Sequence, residues 1–466
     1  MKACLVLFLM YGASLNAQTA GTFTMTGSMT IPRAEHSATL LPNGKVLIAG
    51  GYSPAAPGLT VATAELYDPS TGTFTPTGRM TTARAGHSAV LLADGRVLIV
   101  GGPAEIYDPL TGSFTDAGAE IPIPIPILSG AAPLADGRVL VEGCANPCNS
   151  VIAGFYDPAA GTFTDAGQQF AGGGPAVVLA DGKVLIVGGC VADHGTKAQV
   201  FDPGSGMFNA VGLMTNGCLD TNTATMLVNG KALFVGSDEY PDPADASLFD
   251  PATGTFANVG PAIAPREFAA ATLIPNSGVL ITGGQLPGGN GQALAEFYAP
   301  DSGTFSIAGN MVTGRHLHTS TLLDDGTVLI AGGFSTWPSP TSSAEVYRPT
   351  RLVPAPVLFS LSGDGKGQGA IWDATTGLVP SPAMPAVAGE LLSLYTSGLG
   401  QGSVIPPQVS IGGKPSEILF FGDAPGYPGF TQVNIRMPAG VTPGMAVPVR
   451  LSYLGRSSNE VTIGVR

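Results

Sequence analysis

An Asn-Gly or Asp-Gly pair recurs along this chain at Asn43-Gly44, Asp94-Gly95, Asp136-Gly137, Asp181-Gly182, Asn229-Gly230 and Asp325-Gly326, with Asn276-Ser277-Gly278 as a variant longer by one residue. Gly44 to Gly326 spans 282 residues over six intervals, a mean period of about 47, which falls in the range of four-stranded propeller blades. Each pair is flanked by apolar runs such as Val90-Leu91-Leu92 and Val97-Leu98-Ile99-Val100. Asn-Gly and Asp-Gly supply the positive φ that a tight hairpin requires, so each pair joins two strands. A third strand follows, as at Ala104-Glu105-Ile106-Tyr107, then a turn of the type Asp108-Pro109-Leu110-Thr111-Gly112, then a short fourth strand at Ser113-Phe114-Thr115. Seven copies of four antiparallel strands are therefore predicted.

The two ends of the array show how it closes. A fourth strand carrying phenylalanine stands at Phe74, Phe114, Phe163, Phe208, Phe256 and Phe305, whereas the seventh copy stops after Tyr347-Arg348-Pro349 without one. The missing piece is Gly21-Thr22-Phe23, ahead of the first copy. An N-terminal strand that completes the last blade closes the ring and leaves no open sheet edge. The fold class expected is all-β: a seven-bladed propeller closed by an N-terminal strand over residues 18–350, followed by a second β module over 351–466.

Composition excludes several function classes. Only 11% of residues are charged, yet beyond the N-terminus no apolar run approaches the length of a spanning helix. The 66 glycines and 40 prolines recur at fixed phases between apolar strands and read as turn punctuation rather than disorder. A formal net charge of −13 argues against nucleic acid or an anionic membrane surface as partner. Lys2, the apolar stretch Ala3 to Leu15 and the small residues up to Ala17 read as a secretory signal over 1–17, so export is expected. Nothing points to an oligomer, and a monomer is expected.

Doubled glycines close the second strand at Gly50-Gly51, Gly101-Gly102, Gly188-Gly189, Gly283-Gly284 and Gly332-Gly333, and an aromatic residue precedes the Asp-Pro turn. These features resemble the kelch repeat over roughly residues 20 to 350, in bacterial propellers related to the central domain of galactose oxidase. Copies three and five depart, with Glu142-Gly143 and Gly236-Ser237 in place of the pair. Copper-radical chemistry in that family uses two histidines, two tyrosines and a cysteine crosslinked to one tyrosine, one histidine coming from the C-terminal domain. Here no Tyr-His pair exists, and His36, His87, His194, His316 and His318 all lie in the repeats. The copper chemistry is not carried over, and no cofactor is expected.

After Pro349 the period stops. Gln408-Val409-Ser410-Ile411, Gln432 to Arg436 and Glu460 to Ile463 alternate as strands bounded by Gly and Pro, which reads as an immunoglobulin-like β-sandwich. Ser397-Gly398-Leu399-Gly400, Ile411 to Pro415, Gln432 to Pro438 and Ser458 to Val461 resemble an uncharacterised C-terminal domain of exported bacterial proteins, itself similar to IPT/TIG modules. That resemblance implies a spacer or docking role.

Loops joining strands one to two and three to four are uniformly short and share one face; those on the opposite face vary in length, and function is expected there. Cys144, Cys148, Cys190 and Cys218 all fall in these variable loops. They read as two disulfides, with three pairings open, or as a thiolate metal site with His194. Arg33-x-x-His36, Arg84-x-x-His87 and Arg315-x-x-His318 open blades one, two and seven, and blade six keeps Arg266. They have two readings: satisfaction of backbone carbonyls at the channel, or a basic arc able to hold a carboxylate or sugar hydroxyls. Facing it, Asp193, Asp220, Asp238, Glu239, Asp242 and Asp245 make an acidic arc. His316 adds His-x-His to blade seven, where strand alternation would put two ligands on one face. Tyr52, Tyr240 and Trp337 are candidate rim aromatics. No G-x-S-x-G or H-E-x-x-H motif is present. The reading is an exported binding or adhesion protein for a glycan, cell-wall component or protein surface. The alternative is a carbohydrate-active enzyme or divergent oxidase at the same mouth.

Overall fold

The structure is a computed structural model that describes residues 21–466 apart from 57, 119–126, 145–150, 171–173, 191–195, 215–222, 237–244, 276, 287, 400–403 and 428. Seven of the eight four-stranded antiparallel sheets among the described residues are blades that follow one another in chain order, and the eighth, of Gln285–Leu286, Asn290–Gly291, Phe334–Thr336 and Ser339–Pro340, links the loops of blades six and seven. Blade one is built from Ser37–Leu40, Val46–Ala49, Thr63–Asp68 and Thr73–Arg79, hydrogen-bonded in that order. The first strands of consecutive blades touch all the way round, and Thr319–Leu322 of blade seven meets Ser37–Leu40 of blade one. The fold is a closed seven-bladed propeller.

The expected closure is present. Thr22–Met25 pairs antiparallel with Ala344–Arg348, Phe23 standing opposite Tyr347. In blades one, two and six a tyrosine on the third strand packs on a phenylalanine of the fourth, as Tyr67 on Phe74 with ring centroids 4.8 Å apart. Phe23 and Tyr347 make the same pair at 4.8 Å, so the N-terminal segment supplies the aromatic contact as well as the backbone ladder.

The blades have little core of their own. Seven apolar clusters lie between adjacent blades, because the central strands alternate. Val46 and Ile48 pack toward blade seven, Leu47 and Ala49 toward blade two. These strands are buried on both faces, which is why they read as unbroken apolar runs such as Val97-Leu98-Ile99-Val100. Truncating a seam residue such as Leu98 to alanine would cost about 2–5 kcal/mol.

Residues after Val357 form two five-stranded sheets. Leu392, Leu394, Val433 and Ile435 of one and Val409, Ile411, Val449 and Leu451 of the other share a single buried core, so the module is a β-sandwich. It docks on the Asn/Asp-Gly turn face of the propeller. Val404 N–H donates to Val228 O (3.0 Å) and Ala355 N–H to Asp324 O (2.7 Å), while Gly137 abuts Pro415 and Gly413 abuts Asp94. The connections from second to third strands leave from the opposite face.

Candidate functional site

The arginines of the Arg-x-x-His segments do not form a basic arc facing a ligand. Arg33, Arg84, Arg266 and Arg315 are buried inside their own blades, each paired with a third-strand glutamate. The pairs are Arg33–Glu65 (2.7 Å), Arg84–Glu105 (2.5 Å), Arg266–Glu296 (2.5 Å) and Arg315–Glu345 (2.6 Å). Nη1 of each also donates to the carbonyl of the first glycine of the doublet, as Arg33 to Gly50 O at 2.7 Å and Arg315 to Gly332 O at 2.8 Å. The second carboxylate oxygen accepts from the loop entering the blade, as Glu65 from Thr30 N–H and Glu345 from Val312 N–H. Burial lowers the arginine pKa values and the neighbouring carboxylate opposes that shift. The expectation that the arginines satisfy backbone carbonyls is therefore met, with a carboxylate partner that it lacked.

Those glutamates leave a signal in the sequence. Blades one, two, six and seven read Ala-Glu-x-Tyr on the third strand, at Glu65, Glu105, Glu296 and Glu345. The matching positions in blades three, four and five, which lack the arginine, are Gly154, Gln199 and Ser247. Arginine and glutamate come and go together along one chain, as a buried ion pair requires.

The histidines tie blade to blade. His36 Nε2 lies 3.0 Å from Thr319 Oγ1, His87 Nε2 2.9 Å from Ser37 Oγ, and His318 Nε2 2.9 Å from Thr282 Oγ1, each partner belonging to the preceding blade. Burial pushes all three histidines down, His87 to about 3, so they are neutral at physiological pH. The imidazole rides over the preceding doublet: a Cβ on Gly50 would stand 2.7 Å from His87 Cε1 and 2.7 Å from Arg84 O. Gly50 also adopts φ 65°, so close approach and backbone conformation both demand glycine there.

Between arginine and histidine the chain turns through positive φ at a residue that is glycine only in blade two: Glu35 (φ 55°), Gly86 (64°), Leu317 (50°) and, in blade six, Phe268 (53°). Backbone bonds link these tips round the mouth, Leu317 N–H to Phe268 O (3.1 Å), Glu35 N–H to Leu317 O (3.1 Å) and Gly86 N–H to Glu35 O (2.9 Å). Glu35 is half-buried here, and burial raises its pKa. The sequence reading overlooks Glu35, which stands at one of the two spacer positions of Arg-x-x-His.

His316 and His318 do not share a face. The strand begins at Thr319, and the positive φ of Leu317 breaks the alternation that would have aligned them. His318 turns into the seam with blade six, while the His316 ring packs on Phe334 with centroids 5.4 Å apart. His316 is 0% exposed, neither ring nitrogen has a hydrogen-bond partner among the described residues, and burial pushes its pKa to about 4. Phe334 in turn meets Tyr52 (5.3 Å) and Trp337 (4.7 Å), and Tyr52 and Trp337 stack at 6.1 Å with 23° between their planes. Trp337 is 53% exposed. An aromatic shelf thus stands between blades seven and one over a buried imidazole with hydrogen-bonding capacity to spare.

A second unpartnered group lies between blades three and four. Glu142 is 0% exposed, both carboxylate oxygens are unpaired among the described residues, and burial pushes its pKa to about 8. The strand register puts Gly143, not Glu142, at the first position of the doublet: Val139 pairs with Tyr156 as Val46 pairs with Tyr67. Glu142 occupies the place of Thr282 in blade six, the hydroxyl that receives His318. Blade four carries Gly174 where that histidine would stand.

Cys148, Cys218, His194, Asp193, Asp220, Asp238, Glu239, Tyr240 and Asp242 lie outside the described residues, as do the side chains of Cys144, Cys190 and Asp245. Among the described residues no group of three or more His, Cys, Asp or Glu could hold a metal ion.

No protein-family model and no curated protein matches the sequence. Among solved structures, the chain is similar to a fungal alcohol oxidase of the AA5 family in complex with copper, with a TM-score of 0.58 and 17% identity. The match covers 97% of this chain and 100% of the oxidase. The fold is galactose-oxidase-like. At that identity the likeness extends to architecture alone. The described residues do not fit a copper centre, because His318 is spent on Thr282, His316 stands apart from it, and the C-terminal sandwich holds no histidine.

Proposed function

We propose that the protein is an exported binding protein that recognises a glycan through the variable-loop face of the propeller. The observation that carries this reading is the Tyr52–Trp337 stack, with Trp337 open to solvent and the unpartnered His316 beneath Phe334. A flat aromatic face open to solvent suits a sugar ring, which presents C–H on one side and hydroxyls at its edge. Among the described residues no helix is long and apolar enough to cross a membrane. The docked sandwich occupies the other face, consistent with a module that anchors or spaces the propeller.

A glycan array probed with the wild-type protein and with Trp337→Ala tests the reading. Binding to a defined saccharide set, lost in Trp337→Ala with the melting temperature unchanged, is the expected result. An array without signal, or signal indifferent to the substitution, would overturn it.

A carbohydrate-active enzyme is the second reading, favoured by Glu142. A carboxyl held protonated at neutral pH can serve as a general acid only if the seam between blades three and four opens to bring a substrate within reach of it. Hydrolysis of a saccharide abolished by Glu142→Gln, with binding retained, would bring this reading forward.

A further inference from the structure

The glycan reading leaves the charge of the ligand open, and the mouth between blades seven and one bears on it. The four arginines that line this side in sequence are each matched by a buried carboxylate, so they offer a ligand no net positive charge. His36, His316 and His318 are neutral, because burial disfavours their charged forms. Arg79 stands at the end of the outermost strand of blade one, away from the ring of tips. Of the carboxylates at the described tips, Glu267 of blade six is engaged within the protein, whereas Glu35 has no salt-bridge partner among the described residues.

Glu35 is joined to the aromatic shelf through the backbone. Its N–H donates to Leu317 O, and His316, the residue before Leu317, forms a bridge with Phe334. On its other side Ala34, the residue before Glu35, forms a bridge with Tyr52. The positive φ of Glu35 costs on the order of 1–3 kcal/mol for a non-glycine residue, and such conformations concentrate where a ligand is held. Blade two satisfies the same turn with Gly86, so the geometry does not itself call for a carboxylate.

Resting on the glycan reading, we infer that this mouth selects an amine-bearing saccharide, a glucosamine-type oligomer, with Glu35 as the acceptor for the ammonium group and the Tyr52–Trp337 shelf as the platform for the ring. Aromatic faces and one uncompensated carboxylate are the partners an ammonium prefers, and they repel a uronic acid. This reverses the sign of the site that the arginines suggest when they are read from sequence alone.

Fluorescence titration of the full chain tests the inference, with Trp372→Phe as background so that Trp337 is the reporter; the chain has two tryptophans. The probes are hexaglucosamine, hexa-N-acetylglucosamine and an oligogalacturonate of the same length, at a pH where the amines are protonated. The free amine oligomer is expected to bind about tenfold more tightly than its acetylated counterpart, the size of one charge-assisted hydrogen bond. Glu35→Gln is expected to erase that difference while the acetylated oligomer binds as before, and Trp337→Ala, which removes the reporter and is therefore titrated by calorimetry, is expected to weaken both. Equal affinity for the two glucosamine oligomers, unmoved by Glu35→Gln, would overturn the amine preference and leave the glycan platform standing. Tightest binding of the oligogalacturonate would likewise overturn it. No saccharide response in any protein would overturn both.

Discussion

His318 Nε2 lies 2.9 Å from Thr282 Oγ1, joining blade seven to blade six across a buried seam. His36 and His87 make the same bond to Thr319 and Ser37, but from a different strand of the partner blade. Thr319 and Ser37 are first-strand residues paired with Ala331 and Ala49 of the second strand. In blade six the order is reversed, with Ala270 on the first strand and Thr282 opposite it on the second. Each of these three seams keeps one hydroxyl within reach of the next imidazole, whichever strand supplies it.

Thr282→Ala should therefore cost about 1 kcal/mol, more if the imidazole is left unsatisfied, and Ala270→Ser in the same chain should restore most of the loss. Urea unfolding of the single and double variants checks this. A loss that Ala270→Ser does not repair would show that the bond matters less than the packing around it.

The same histidines give stability an acid limb. Their folded pKa values lie below the unfolded value near 6.5, so their contribution is complete above that pH and is lost as the pH falls, toward about 3 for His87. Melting temperature measured across this range should fall with pH, and His87→Gln should flatten part of the slope.

Glu142 works in the opposite direction. Its folded pKa of about 8 lies above the ordinary carboxyl value, so its contribution is complete below about pH 4.5 and is lost as the pH rises toward 8. Glu142→Gln should leave stability at pH 5 nearly unchanged and raise it at pH 9, read from denaturant midpoints. A Glu142→Gln variant that loses stability at pH 9 would mean that the ionised carboxylate is held by a partner.

The buried ion pairs should behave asymmetrically. Glu345→Gln leaves Arg315 buried without a counter-charge and should destabilise by about 3–5 kcal/mol, whereas Arg315→Met with Glu345→Leu should cost less than either single change. Unfolding free energies of the three variants test this.

How much of this was legible beforehand depends on the reach of each interaction. The hairpin turns are local, and the absence of a fourth strand after Tyr347 is visible against six complete copies, so the ring and its closure follow from the chain itself. Arg33 was visible, but its purpose was not, since Glu65 lies on the far side of two strands. Only a comparison of Ala-Glu-Leu-Tyr with Ala-Gly-Phe-Tyr across blades reveals the pairing. Glu35 escaped notice because a non-glycine residue gives no sign that its φ will be positive. The proposed His-x-His face failed for the same reason, as Leu317 turns the chain one residue ahead of the strand.

The strand Thr22–Met25 lies against Ala344–Arg348, with Thr24 reaching Val346 some 322 positions along the chain. The segment synthesised early is thus among the last to find its place, and no ring exists until nearly the whole propeller has emerged. The contact joins segments far apart in sequence, the kind of pairing that forms late because its loop must be closed before it contributes. It is also the one point on the circumference where a blade is held together by hydrogen bonds and packing rather than by a connecting turn. Departure of that short strand would expose a single unpaired edge. Resistance to unfolding and to edge-to-edge aggregation would then both be governed by the rate at which four residues come loose.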